Sequence, residues 1–270
     1  FEHVPLDLHK RSIRLIKILP QRSEDGIIEC RMHLSSLKTE YTCLSYVWGE
    51  PGAGGWILID GKRVFVRMNL LNFLNHARPK FQSRYIWIDA LCIDQTNIRE
   101  RQHQVQQMGQ IFTAAQEVVS WMGLDEHIAT FFSPDATAQH LRWGASIFGS
   151  SNYWRRAWIT QEIVLGSKVT FMARSNSRSL EALPAPNSSY DFTYNRIIAR
   201  MTYMRKHFQS SNRPRNALIY LLDDLKFQQC HLKRDRIFSL LGLCTDSSGI
   251  MVDYEITDAT LALRVLRYHQ

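Results

Sequence analysis

The chain contains no run of about 18 apolar residues, so it offers no conventional helix to cross a bilayer. Phe1 to Leu8 carries Glu2 and Asp7 and lacks the basic-then-apolar order of a secretory leader, which points to a cytoplasmic protein. Cysteine is scarce: Cys30, Cys43, Cys92, Cys230 and Cys244 are odd in number and far apart. They form neither a disulfide framework nor a Cys-x-x-Cys metal site, and reduced, buried thiols are the expected state. The histidines never stand at ligand spacing from a cysteine or carboxylate pair, and the neighbours Cys230-His231 lack further partners, so no metal is expected. A glycine-rich phosphate loop, a Gly-x-Ser-x-Gly elbow, a His-Glu-x-x-His helix and a zinc deaminase signature are all missing. Internal repeats and low-complexity segments are missing too. Phe1 is not a methionine and Gln270 falls inside a helical pattern, so a piece of a longer protein is expected.

What is present describes a folding chain. At 45% hydrophobic and 21% charged, 270 residues can bury a core, as one large domain or two small ones. The 33 Lys+Arg against 25 Asp+Glu leave a net charge of +8, which admits nucleic acid, acidic lipid or a phosphate-bearing small molecule as partner and selects none.

Ile13 to Leu19 and Ile27 to Leu34 read as a first hairpin, and Tyr41 to Trp48 as a third strand. Trp56 to Ile59 and Arg63 to Val66 flank Asp60-Gly61, a pair suited to a type I′ turn. A helix starts near Asn69. Tyr85 to Ile93, apolar apart from Asp89, reads as a strand covered on both faces and argues for a parallel, layered α/β core. Asn97 with Glu100 resembles a capping box, followed by helical spacing through Ala115 and a strand at Glu117 to Met122. Gly123 to Asp135 reads as a looser stretch. Ala136 to Phe148 and Tyr153 to Leu165 read as helices, Lys168 to Met172 as a strand, and Arg174 to Ser189 as a long loop. Helices are then expected at Tyr190 to Phe208, Arg215 to Phe227, Asp235 to Leu243 and from Thr257 onward. The expectation is one domain over 1–270, with an α/β core with N-terminal hairpins at 1–173 and a loop and helical extension at 174–270.

Open α/β sheets place ligands at the carboxyl ends of their parallel strands. Ser45, Tyr46, Trp48 and Gly49 end one such strand, Asp89, Cys92 and Asp94 sit in or after another, and Trp121 and Gly123 end a third. Aromatic plates beside carboxylates suit a ligand with a flat ring and a ribose. Taken singly, Tyr46 and Trp48 could equally be core aromatics and Asp94 a helix cap. Within Tyr153 to Leu165, Glu162 stands one turn after Trp158, holding a carboxylate against an indole on a buried face. Such a group is either paired, with Arg155 or Arg156 at hand, or functional.

Several blocks together carry a resemblance. Tyr41-Thr42-Cys43-Leu44-Ser45-Tyr46-Val47-Trp48-Gly49, then Ile86-Trp87-Ile88-Asp89-Ala90-Leu91-Cys92-Ile93-Asp94-Gln95 through Glu100-Arg101, Gln104-Val105, Met108 and Ile111 to Trp121-Met122-Gly123, resemble the fungal heterokaryon incompatibility (HET) domain. Trp154-Arg155-Arg156-Ala157-Trp158-Ile159-Thr160-Gln161-Glu162 resembles its third block. Arg234-Asp235-Arg236-Ile237-Phe238-Ser239-Leu240-Leu241-Gly242-Leu243 and Val252-Asp253-Tyr254 look like its C-terminal end. Departures are Asp94, where the family often has Asn, and Lys233, where a proline commonly precedes Arg-Asp.

The resemblance implies self/non-self recognition and programmed cell death, with regulatory domains or partner proteins and self-association on activation. It also implies a distant similarity to TIR domains, hence a TIR/flavodoxin-like, mostly parallel sheet flanked by helices. Some TIR domains hydrolyse NAD, and in those enzymes the catalytic glutamate follows a tryptophan by a helical turn. Trp158 and Glu162 are similar to that arrangement. NAD or a related nucleotide would be substrate, no cofactor being required, with Glu162 catalytic. Trp48 or Tyr46 would stack on a ring, Arg101 or Arg156 would meet the pyrophosphate, and Ser45, Gly49, Asp89, Asp94 and Trp158 would line the site. The competing expectation is a non-enzymatic, self-associating signalling module. A third, nucleic-acid binding through Arg196, Arg200, Arg205, Lys206, Arg213 and Arg215, matches no named module, and a solvated helical face is the simpler account of those residues.

Overall fold

Asp60 and Gly61 adopt φ of 52° and 76° in the computed structural model, which describes residues 1–82, 84–209, 217–244 and 249–268. Positive φ at both positions makes the type I′ turn between β4 (Gly54–Ile59) and β5 (Lys62–Arg67). The first hairpin joins β1 (Ser12–Arg22) to β2 (Ile28–Ser36). Neither hairpin is an appendage. β2 pairs in parallel with β4, and β1 pairs antiparallel with β6 (Tyr85–Trp87), so both enter one nine-stranded sheet. With β3 (Thr42–Tyr46), β7 (Glu117–Trp121), β8 (Val169–Ala173) and β9 (Asn176–Ser179), its order is β5-β4-β2-β1-β6-β3-β7-β8-β9.

The centre of this sheet is parallel: β3 pairs with β6 and β7, and β7 with β8. Numbered along the chain, β6-β3-β7-β8 reads 2-1-3-4, the order of a flavodoxin-like doubly wound sheet. The expected α/β class is thus observed, within a mixed sheet whose flanking pairs are antiparallel except for β2 with β4. All five residues of β3 and of β7 are buried, as strands covered on both faces must be.

Several boundaries differ from expectation. The apolar run Tyr85 to Ile93 is shared between β6 and a helical turn, α2 (Asp89–Cys92), because burial on all sides carries no period. After α1 (Met68–Phe81) and α3 (Ile98–Ala114), the stretch expected to be loose contains α4 (Glu126–Phe131), capped by Asp125 Oδ1 accepting from Ile128 N at 3.0 Å. α5 (Ala138–Ser150) is as expected, but Tyr153 to Leu165 is not one helix. A single 3₁₀ turn at Asn152–Arg155 gives way to extended Arg156, and α6 (Ile159–Leu165) starts afterwards. The loop expected at Arg174 to Ser189 contributes β9. The extension holds α7 (Phe192–Gln209), α8 (Leu218–Asp224), α9 (Asp235–Phe238) and α10 (Asp258–Tyr268). None of the five cysteines is joined to another in a disulfide among the described residues. Cys30, Cys43 and Cys92 are buried, as expected, and burial pushes Cys30 and Cys92 up to about 12; Cys230 and Cys244 are half-buried. Among the described residues, no helix is long and apolar enough to cross a membrane.

The expected capping box is only half formed. Asn97 Oδ1 accepts from Glu100 N at 3.2 Å, but the Glu100 carboxylate turns elsewhere. It accepts from Arg14 at 2.6 and 2.8 Å and from Asp94 N at 2.8 Å, while Arg14 also donates to Cys92 O and Val4 O. Both charges are removed from water, so each is tolerated only because the other is there. Arg14→Met alone should therefore cost about 3–5 kcal/mol in urea unfolding, and Arg14→Met with Glu100→Leu together distinctly less than the two singles summed. Burial opposes ionisation of Glu100, but Arg14 and the Asp94 amide outweigh it and lower its pKa. Its contribution is complete above the unfolded carboxylate's pKa and fades as pH falls through the lowered value. Glu100→Gln should flatten that acid limb of the stability profile.

Candidate functional site at the carboxyl ends of the parallel strands

Strand order reverses at β3, with β6 on one side and β7 on the other, and Ser45 of β3 lies in register with Ser120 of β7. This is where open α/β sheets place their ligands. Ser45 Oγ donates to Glu162 Oε2 and is 2.7 Å from the hydroxyl of Tyr153. Arg156 spans both oxygens of Glu162, at 3.3 Å to Oε1 and 3.4 Å to Oε2. Glu162, Ser45 and Tyr153 are buried and Arg156 is half-buried. Burial opposes the charge on Arg156, but Glu162 beside it holds the guanidinium pKa above its ordinary value. Arg155, the other expected partner, is exposed.

The local chain explains this convergence. The 3₁₀ turn places Tyr153 and Trp154 in the core, the extended Arg156 redirects the backbone, and Trp158 O accepts Glu162 N at 3.2 Å as α6 begins. Glu162 thus reaches the end of β3 at Ser45, and Arg156, six residues earlier in the chain, meets it there.

A second pair borders the first. Trp48 Nε1 donates to Asp89 Oδ2 at 2.9 Å, Ala90 N donates to Oδ1 at 2.7 Å, and the Arg67 guanidinium lies 5.4 Å from the Trp48 ring centroid. Gly49 and Gly123, past the ends of β3 and β7, have φ of 80° and 92°. Between these strands stands Asn69, which donates to Val47 O at 2.6 Å and accepts from Trp121 Nε1 at 2.9 Å.

The structure therefore gathers Ser45, Arg156 and Glu162 into one cluster, with Trp48, Gly49 and Asp89 beside it. Tyr46 lies on β3 but is buried, so it offers no stacking face. Asp94 is turned toward Thr96, accepting from its amide and hydroxyl, and caps no helix; Asn97 does. Arg101 stacks on Tyr254 at 4.2 Å. Trp158 contributes backbone at the start of α6, and its half-buried indole packs against the core. Tyr153, Asn69 and Arg67 were not legible in advance, because only the register of β3 and β7 and the break before α6 bring them here. This cluster is closed to solvent, Glu162 being 3% exposed. A groove of about 690 Å³ lies instead at the opposite ends of these strands, around Thr42, Arg84, Glu117 and Lys168. Of the basic residues considered for nucleic acid, Arg205 is buried on Ile163 O and Gly166 O, and Arg200 donates to Asp224 O; Arg213 and Arg215 lie outside the described residues.

Residues 41–162 match the family model described as Heterokaryon incompatibility protein (HET). Heterokaryon incompatibility protein 6, OR allele, of Neurospora crassa is 28% identical over 139 residues, 46% of this chain and 20% of that protein. The chain covers about a fifth of that relative's length. No solved structure matches it.

Burial raises the Asp89 pKa to about 6, against the hydrogen bond from Trp48 and the charge of Arg156, with Glu162 adding to the rise. A raised carboxylate favours folding while it is protonated and loses that advantage as pH climbs from the unfolded value toward 6. Unfolding free energy should therefore fall by on the order of 3 kcal/mol across that window. Asp89→Asn should abolish this fall, as read from urea midpoints at pH 4 and pH 7.

Proposed function

We propose that the chain, whose residues 41–162 match the heterokaryon incompatibility (HET) family model, is a fungal allorecognition effector that drives cell death by cleaving the nicotinamide–ribose bond of NAD. The observation that carries this reading is the carboxylate of Glu162, delivered to the reversal point of a doubly wound parallel sheet and ringed by Ser45, Tyr153 and Arg156. Nicotinamide leaves as a neutral ring and takes the bonding electron pair, so a general acid is not needed, unlike at ordinary glycosides. Glu162 would hold the ribose hydroxyls and stabilise the oxocarbenium-like transition state. Water then bonds to the anomeric carbon and releases one proton to solvent; if the product is cyclic, an adenine nitrogen attacks instead. Arg156, swinging from Glu162 to the pyrophosphate, would free a carboxylate oxygen for the sugar as the nucleotide enters. Trp48, half-buried beside Asp89, supplies the ring platform.

One observation favours the second reading, a self-associating module without catalysis. Both oxygens of Glu162 are satisfied and it is nearly sealed from solvent, as in a structural ion pair. A product assay on NAD, with free and artificially clustered protein, separates the two. Glu162→Gln should lower turnover at least about 10²-fold and abolish killing on expression. Intact NAD in the presence of clustered, still lethal protein would sink the enzymatic reading, and killing that survives Glu162→Gln would establish the module.

A further inference from the structure

Arg156 faces Glu162 from extended backbone, with φ of −73° and ψ of 136°. Neither the 3₁₀ turn before it nor α6 after it has that conformation. The groups that hold it come from the turn after α8, outside the segment that matches the family. Gln229 forms a parallel β-bridge with Arg156: Gln229 N donates to Arg155 O at 2.6 Å, and Ala157 N donates to Gln229 O at 2.9 Å. Bonds on either side of Arg156 fix its φ and ψ, and with them the direction in which its side chain leaves the backbone.

Gln228 adds a side chain to this clamp. Its carboxamide lies against Arg155 O at 2.8 Å, Trp154 O at 3.0 Å and Arg156 O at 3.2 Å. An amide oxygen in that place would be repelled by all of these carbonyls, so the nitrogen faces them and donates. The dipeptide is itself anchored. Gln228 N donates to Leu225 O at 2.9 Å and Leu225 N to Leu221 O at 3.0 Å, with Leu221 and Leu225 buried, while Arg200 of α7 donates to Asp224 O at 2.9 Å. Thus α7 and the end of α8 set where Gln228 stands, and Gln228 holds the carbonyls from which Arg156 reaches Glu162 at 3.3 and 3.4 Å.

We propose that Gln228, together with the Gln229 bridge, is a positioning residue for Arg156 and through it for Glu162, acting from outside the matched segment. Its effect on turnover rests on the reading of Glu162 as the functional carboxylate; its placement of Arg156 does not. The helical extension is thereby part of the working site.

The test compares the wild-type 270-residue chain with Gln228→Met, Gln228→Lys, Glu162→Gln and the Gln228→Met/Glu162→Gln double variant. Gln228→Met keeps the length of the side chain and removes its donors, and should raise hydrogen exchange at the Ala157 amide about tenfold while the central strands stay protected. Gln228→Lys, which restores a donor, should recover part of that protection. In urea unfolding, Gln228→Met and Glu162→Gln together should cost less than the two singles summed, because a misplaced Arg156 matters less once its carboxylate is gone. With clustered protein, Gln228→Met should raise the KM for NAD about tenfold and leave kcat nearly unchanged, as expected if Arg156 meets the pyrophosphate in ground and transition state alike. Unchanged exchange at Ala157 in Gln228→Met, or unfolding losses that simply add in the double variant, would overturn the proposal. If Gln228→Met does not fold, Gln228→Asn, which shortens the arm by one methylene, makes the same comparisons. Wild-type protein that leaves NAD intact defeats the enzymatic reading alone, because exchange and the unfolding cycle still decide the positioning role.

Discussion

A carboxylate that loses its water must find other partners, and Glu162 meets this constraint with groups drawn from distant parts of the chain. Ser45 comes from the third strand and Arg156 from a single extended residue, while Tyr153, on a 3₁₀ turn, holds the Ser45 hydroxyl. The break between Arg155 and Ile159 interrupts what apolar spacing alone would make a continuous helix. It is the local distortion that aims a cation back at the acid.

The same economy operates at the start of α3. Arg14 and Glu100 are a closed ion pair that joins the first strand, the N-terminal segment and the start of α3, and the polar groups around it are backbone carbonyls and amides. Arg205 behaves similarly, spending its guanidinium on the carbonyls at the end of α6. The cationic excess of the composition is thus partly internal: several arginines act as backbone acceptors' partners and contribute less to an outward field than a count of charges suggests.

The sequence disclosed the sheet well where two signals agreed. Asp60-Gly61 between alternating apolar residues specified its hairpin because turn chemistry and strand period are independent. Tyr85 to Ile93 misled because an apolar stretch buried on every side has no period to read, so strand and helical turn look alike. Of the site, Ser45, Trp48, Asp89 and Glu162 were visible as polar or aromatic residues at strand ends and on a buried face. Tyr153 was not, since its place depends on a helix break that a β-bridge from Gln229 imposes from over 70 residues away. Arg101 and Asp94 were misplaced for the converse reason: both follow the right strand, but each is captured first by a closer partner, Tyr254 and Thr96.

β3 is a central strand whose two neighbours are both made later in the chain. β6 follows it by about 40 residues and β7 by about 70, and Tyr41 OH reaches Ile111 O across 70 positions. Loop closure must therefore precede any reward for β3, which raises contact order and slows folding. During synthesis its five buried residues leave the ribosome without either flanking strand. The nascent chain thus carries this strand, destined for the core, without either partner until β6 and β7 emerge, and an unpaired strand edge in that interval is open to association with other chains.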